Sequence, residues 1–333
     1  MLTSLIEEST AALSRRFLLT ALVPSALLVG LLGVVTAVSW WSWHDAFAAW
    51  GRLSTVSQGV LSVAVVLAGM LVATLAVRGS TELVRLYEGY WTSRPGQWLA
   101  RVGGDHHRAR LAALAASRDP GAYRRIHLGY PLPTQPEQVM PTALGNVLRN
   151  AELHPRDRYG IDAVLVWPRL YPLLPERMAG AVAAARTELD SLLVISALSL
   201  AFAVAAGVDV LAAAGPAWLF TACFGAGVAV SRLAYGSATR AAVVYAQQLK
   251  VAFDVYRAAL LKELGIPAPA DPEAERRTWQ GLAMLWYRNL PGATEEPPPP
   301  TTAKPGRGAP LGRVALALAA LAWIAGTVAL ALR

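Results

Sequence analysis

The chain has 333 residues, 55% of them hydrophobic and only 16% charged, with a mean hydropathy of +0.39. Soluble domains carry charged residues at near a quarter, so an ordinary soluble globular protein is excluded. The formal charge of +8 does not point to nucleic acid: only Lys250, Lys262 and Lys304 among the 30 basic residues are lysine, and the arginines stand beside apolar runs, as on the cytoplasmic face of a membrane protein. Cys223 is the only cysteine, which rules out an intramolecular disulfide and a cysteine metal cluster.

Residues 1–14 read as a short amphipathic helix, with Leu2, Leu5, Ile6 and Leu13 interleaved with Glu7 and Glu8. Ser14-Arg15-Arg16-Phe17-Leu18-Leu19 looks like a twin-arginine export signal, but such a signal needs a short apolar core and a cleavage site. Here the apolar run continues to Trp40 and closes on the belt Trp40-Trp41-Ser42-Trp43, so a retained first span is expected. Pro24 is expected to bend it. Residues 44–58 read as a short loop in which His44-Asp45 marks where the chain meets water, and 59–77 as a second span ended by Arg78.

From Arg78 to Asp190 the chain turns soluble in character, with fifteen Arg and no Lys against eleven Asp and Glu. The first loop holds one Arg and the 214–217 turn none, so the amino terminus, 78–190 and 237–312 are expected in the cytoplasm. Within this region 81–91 should continue the second span as helix. Residues 105–117 read as another helix with Asp105 as its N-cap, and 142–152 as a third. Residues 120–141 are too rich in Pro and Gly for a helix. Residues 161–167 read as a strand or buried turn, and 167–172 as irregular because each Pro restricts the residue before it.

Residues 192–214 and 217–235 each reach the roughly 20 apolar residues a spanning helix needs, and Gly215-Pro216 separates them. If the hairpin turns there, residues equidistant from Gly215 lie at one depth. The third span should begin without a break from about Pro175, and the fourth should continue as a helix over 239–264. On that continuation Tyr245, Leu249, Phe253, Tyr256, Leu260 and Leu264 form an apolar stripe, and the helix over 176–187 is its nearest expected partner. Lys250, Asp254 and Arg257 are spaced to pair along another face. Pro272 opens a charged helix, 291–311 is an extended Pro-rich linker, and 312–332 is a fifth span that would place Arg333 outside.

The expected architecture is thus a predominantly all-α integral membrane protein with five transmembrane helices and long cytoplasmic helical extensions. Its parts are an amphipathic segment and first hairpin (1–78), a cytoplasmic region (79–189), a second hairpin (190–236), a cytoplasmic helical arm (237–290), the linker (291–311) and a terminal span (312–333).

Two groups of polar residues stand out. Arg149, His154, Arg156, Arg158 and Asp162 crowd one stretch. Arg binds phosphate and carboxylate in a bidentate way, so they are candidates for an anion or headgroup site. The competing reading is a network tying helix 142–152 to the following apolar run, with Asp162 neutralising an arginine. Asp209, Arg232, Ser196 and Ser199 are polar positions within the second hairpin and would line a path if the chain were a pore or transporter subunit. At about 1.5 Å per residue Asp209 falls near the outer interface, and Arg232 is close enough to the cytoplasmic border to snorkel. Small residues Ala222, Gly225, Ala226 and Ala229, and Gly30 with Gly33, are spaced for close helix packing.

Gly103-Gly104-Asp105-His106-His107 contains a phosphoesterase-like triplet, and His106, His107 and His154 would be the ligands of a hydrolase. The further acidic motifs such an enzyme needs are not recognisable, and no phosphate loop, nucleophile elbow, zinc motif or dinucleotide fingerprint is found. No catalytic residue, metal or cofactor is therefore assigned. The expected partners are the lipid bilayer and a protein, either a different one or a second copy of the chain.

Phe253-Asp254-Val255-Tyr256-Arg257, Leu260-Leu261, Leu264-Gly265, the following Pro segment, Glu275-Arg276 and Trp279 resemble a segment that follows the spans of uncharacterised bacterial multi-pass membrane proteins. Residues 142–176, with Arg158-Tyr159-Gly160-Ile161-Asp162 and Trp167-Pro168-Arg169, are similar to sequence of the same kind of protein. The resemblance implies a bacterial inner-membrane protein with a partner-binding or sensing helical module, and brings no activity with it.

Overall fold

The computed structural model describes residues 22–41 and 43–288. The expected amphipathic segment over 1–14, the Pro-rich linker and the fifth span lie outside these residues. Among them every regular element is helical: α1 (Val23–Trp40), α2 (Trp43–Arg52), α3 (Thr55–Arg78), α4 (Ser80–Glu88), α5 (Arg94–Ala116), α6 (Pro120–Gly129), α7 (Ala143–Tyr159), α8 (Ala163–Leu170), α9 (Glu176–Ala212), α10 (Ala217–Glu263) and α11 (Pro272–Arg288), with 3-10 turns at Pro136–Gln138 and Tyr171–Leu173. Four of these, α1, α3, α9 and α10, are long and apolar enough to cross a membrane.

Several boundaries differ from the sequence reading for local reasons. α1 is described from Val23, and the earlier part of the expected first span lies outside the described residues. The expected loop over 44–58 contains α2, and Ser54 then caps α3 by accepting from the Ser57 amide at 3.2 Å. The helix does not run from 59 through 91, because Gly79 ends α3 and α4 starts anew. Proline misled the reading twice. Asp119 accepts from the Gly121 amide at 2.9 Å and Pro120 takes the first position of α6. In α8 Pro168 lies inside a helix of only eight residues, which gives way to a 3-10 turn.

The chain forms two compact units. The first comprises the described residues up to Val84 and Asp190–Ser237. In it α1 and α3 approach closely at Gly69, where an added Cβ would lie 3.1 Å from the Ala26 Cα. The hairpin turns through Ala214, held at a left-handed φ of 48°, with the Gly215 amide bonded to the Val210 carbonyl at 2.8 Å. Its packing follows the register about Gly215: Gly227 faces Ala203, Gly207 faces Phe220, and Ser196 Oγ donates to the Ser231 carbonyl at 3.0 Å. Val35, Ala206, Val210 and Leu219 form a buried cluster. The small residues singled out from sequence are not the ones in contact. Ala222, Gly225, Ala226 and Ala229 are exposed, and among the described residues nothing lies within 4 Å of a Cβ at Gly30, Gly33 or Gly225. Interhelical hydrogen bonds in a bilayer contribute about 0.6 kcal/mol on average. Ser196→Ala should therefore lower the melting temperature only slightly, read by intrinsic tryptophan fluorescence of the detergent-purified chain.

The second unit comprises Arg85–Leu189 and the described residues from Ala238. Thr142 organises the junction of α4 and α7. Its hydroxyl is shared between the Tyr87 and Glu88 carbonyls at 2.8 and 3.0 Å and accepts from the Gly145 amide at 2.9 Å. Gly89, at φ 100°, lets the chain leave α4 against Pro141, where a Cβ would lie 2.2 Å from Cγ. Asn146 is wholly buried and has its amide satisfied by the Met140 and Thr142 backbone. Leu111, Ile126, Tyr130 and Val139 close α5 against α6. The larger core gathers Ile161, Val166, Leu170 and Leu174, Phe253, Leu260 and Leu261 from α10, and Trp279 from α11. Met178 and Ala179 of α9 pack against it, so the α10 stripe has α8 and α11 as partners besides the expected segment of α9.

Candidate functional site

A dense polar arrangement of the second unit is centred on Asp254, about four-fifths of the way along α10 and well beyond the apolar stretch 217–235. Asp254 Oδ1 accepts from the Tyr159 hydroxyl at 2.8 Å and lies 2.8 Å from His154 Nε2. Arg158 Nη1 stands 3.8 Å from Oδ2. His154 and Tyr159 both come from the last turns of α7, where Gly160 adopts a left-handed φ of 74° and the helix closes on the Pro155 and Arg156 carbonyls. The cap turns Ile161 into the core and leaves the polar side chains toward α10.

One turn on, Arg257 completes the arrangement. Its Nη1 donates to the Asp254 carbonyl, its Nε donates to Glu275 Oε1 at 2.8 Å, and its guanidinium lies 3.8 Å over the Tyr159 ring. Arg276 reaches the Asp157 and Arg158 carbonyls at 2.6 and 2.9 Å. Three helices are thereby tied by groups that all have partners.

The electrostatics follow from burial. Burial pulls the His154 imidazole below its ordinary range more strongly than the hydrogen bond and charge of Asp254 raise it. A carboxylate can only accept, so the ring nitrogen facing it, Nε2, carries a proton. Burial alone would raise the Asp254 carboxyl, but the hydrogen bonds from His154 and Tyr159 and the charges of His154 and Arg158 hold it below the usual carboxylate range.

Lys250 lies one turn before Asp254 and is only 2% exposed. Its ammonium donates to the His127 carbonyl at 2.9 Å, an acceptor shared with Asn150 Nδ2 at 2.7 Å. Burial lowers its pKa from 10.5 to about 8, against the pull of Asp254. The unfolded chain keeps that proton to higher pH, so stability should rise as pH passes from 8 to 10.5. Lys250→Met should remove this rise and stabilise the chain at pH 7 by on the order of 2 kcal/mol, measured by thermal melting across that window. The His127 carbonyl keeps Asn150.

Glu88 is a second displaced group. Burial, then the charge of Glu152, raises its carboxyl from 4.5 to about 7, against Arg186, Arg85 and Arg149. The folded state binds the extra proton, so its stabilising share is complete below pH 4.5 and fades as pH rises through 7. Glu88→Gln should melt higher than the wild type at pH 8 and match it near pH 4.5.

Of the residues expected to gather as an anion site, the structure brings His154 and Arg158 together on Asp254. Arg149 turns to Gln138 and to Glu152, 2.8 Å away. Arg156 is exposed. Asp162 forms no ion pair with an arginine among the described residues: it caps α8 through the Leu165 amide at 3.1 Å and accepts from the Tyr287 hydroxyl at 2.9 Å. The pairs expected along the α10 face give way to partners on other helices.

The hairpin residues are also separate. Ser196 is buried against Ser231, Ser199 presents its carbonyl to Gly227, Arg232 is exposed, and Asp209 accepts from Trp40 Nε1 at 3.2 Å. His106 is exposed, while His107 is buried with Nδ1 2.9 Å from the Tyr130 hydroxyl. Asp105 is inside α5, paired with Arg108 at 2.6 Å, and Ser93 is the N-cap. Among the described residues no three His, Cys, Asp or Glu side chains are grouped to hold a metal.

Lys250 and Glu275 are the members that sequence crowding could not reveal. Their only signal was helical phase, which set Lys250 beside Asp254 on a charged face of an otherwise apolar helix. Compared with protein-family models, curated proteins and solved structures, the chain matches none.

Proposed function

We propose that the chain is a multi-pass protein of the bacterial inner membrane, with five spans and a cytoplasmic helical module that binds a protein partner or reports a state of the cell without catalysing a reaction. The observation that carries this reading is the continuity of α9 and α10: each runs unbroken from lipid-length apolar sequence into the region of the Asp254 network. An arginine excess over 78–190 supports the orientation. The fully partnered polar groups of the network favour a module that transmits or holds a conformation over one that turns over a substrate.

The orientation is tested by thiol labelling of Glu137→Cys in a Cys223→Ser background. Glu137 is exposed, and it should react with an impermeant maleimide only after spheroplasts are broken. Labelling in intact spheroplasts would overturn the orientation. The partner reading is tested by in-cell photocrosslinking from exposed positions on α11, with Asp254→Ala as comparison. A specific adduct that weakens in the variant is expected. A chain that never forms an adduct other than with itself would speak against a different protein partner.

A further inference from the structure

The first half of α5 carries an apolar face left exposed among the described residues. Trp98 is 57% exposed, Leu99 49% and Val102 50%. The opposite face, with Gly96, Gly104, His107 and Leu111, is buried. Arg94 and Arg101, seven residues apart and so on one side of the helix, border the exposed side chains, are themselves exposed, and have no ion pair among the described residues. No acid occurs between Arg94 and Gly104, and Asp105 is neutralised by Arg108. Leu86 and Tyr90, in the segment before α5, are exposed as well.

We infer that this face docks on the surface of an anionic bilayer, with Trp98, Leu99 and Val102 in the acyl boundary and Arg94 and Arg101 on lipid phosphates. An amphipathic helix with an indole on its apolar face and arginines along one edge suits the interface. Charge complementarity selects anionic lipid over a zwitterionic surface. Chain connectivity permits it: fifteen residues separate Arg78, at the end of α3, from Arg94, and with α4 helical and the remaining residues extended they span at most roughly 35 Å. The inference rests on the reading of α1, α3, α9 and α10 as spans, but makes a separate demand on α5.

The test uses the full chain with Cys223→Ser, spin-labelled at Val102→Cys and, separately, at Leu99→Cys, in nanodiscs. One lipid is phosphatidylcholine alone and the other contains phosphatidylglycerol in about equal part. The label should become accessible to oxygen and protected from a nickel chelate in the anionic discs and much less so in the neutral ones. Each arginine near an anionic surface contributes roughly fivefold to docking, so Arg94→Glu/Arg101→Glu should lower the docked-to-free ratio roughly tenfold or more. Equal nickel accessibility in both discs would overturn the proposal. So would a label protected from both reagents and broadened by a second label in a way that dilution with unlabelled chain relieves, since a second copy would then cover the face. A chain that incorporates in discs while the label stays in water defeats this inference alone; a chain that does not incorporate defeats the membrane reading beneath it.

Discussion

Trp279→Ala is expected to unfasten α11 from the core of the second unit and to lower the melting temperature by roughly 10 °C. The indole is 1% exposed and packs where α8, α10 and α11 meet, among Ile161, Leu170, Phe253 and Leu260. Large-to-small changes of this kind cost about 3–5 kcal/mol, from lost transfer free energy and from the cavity left behind. The indole N–H stands 3.5 Å from Glu275 Oε1, at the limit of a hydrogen bond, so packing dominates the loss. Trp279→Phe keeps most of the buried area and should recover more than half of the stability. If Trp279→Ala melted within about 2 °C of the wild type, this core would not hold α11.

Asp254→Ala should come next in magnitude. It removes the acceptor shared by His154 and Tyr159 and leaves two polar atoms in a half-buried site without a partner. Each such group costs about 1–3 kcal/mol. The His154 side chain is 10% exposed but Asp254 is 31% exposed, so water can reach the carboxylate side and the combined loss should be about 2–4 kcal/mol. Asp254→Asn retains an acceptor of the same shape and should lose less than half as much. The pH dependence has a definite sign. The folded carboxyl titrates below its unfolded range, so its stabilisation is present above the unfolded pKa and disappears as pH falls through the folded one. The gap between wild type and Asp254→Asn should therefore close only under strongly acid conditions. A gap that instead closed near neutral pH would mean that His154, not Asp254, changes charge.

The long helices were the most legible part of the fold. Their apolar length and the punctuation at Pro175, Gly215-Pro216 and Gly265 mark α9 and α10 without help from tertiary contacts, and the register of the hairpin follows from its turn. The elements around them were less so. Asp119-Pro120 has the composition of a breaker but serves as a cap followed by a first-turn proline, and Pro168 by its restriction on Trp167 argues against the short helix that contains it. Small residues recur on more than one side of the fourth span, and only the angular phase of the neighbouring helix decides that Gly227 is the one in contact.

The site divided in the same way. Crowding in sequence drew attention to the end of α7, which does supply His154 and Arg158. It also picks out Arg149, held by Gln138 and Glu152, and Asp162, which caps α8 and accepts from Tyr287. The centre, Asp254, appeared from sequence only as a member of a charged helical face, because its partners lie roughly a hundred residues away and such distances leave no trace in spacing.

The contact between Lys250 and the last turn of α6 has one more consequence. The carbonyls of a helix C-terminus have no intrahelical donors and carry the negative end of the peptide dipoles. The buried ammonium is answered there by backbone rather than by an acid, and a carbonyl neither takes up a proton in acid nor gathers counterions from solution. Tethering of α6 to α10 should on that account survive both acidification and concentrated electrolyte, conditions under which the surface ion pairs of the same unit let go.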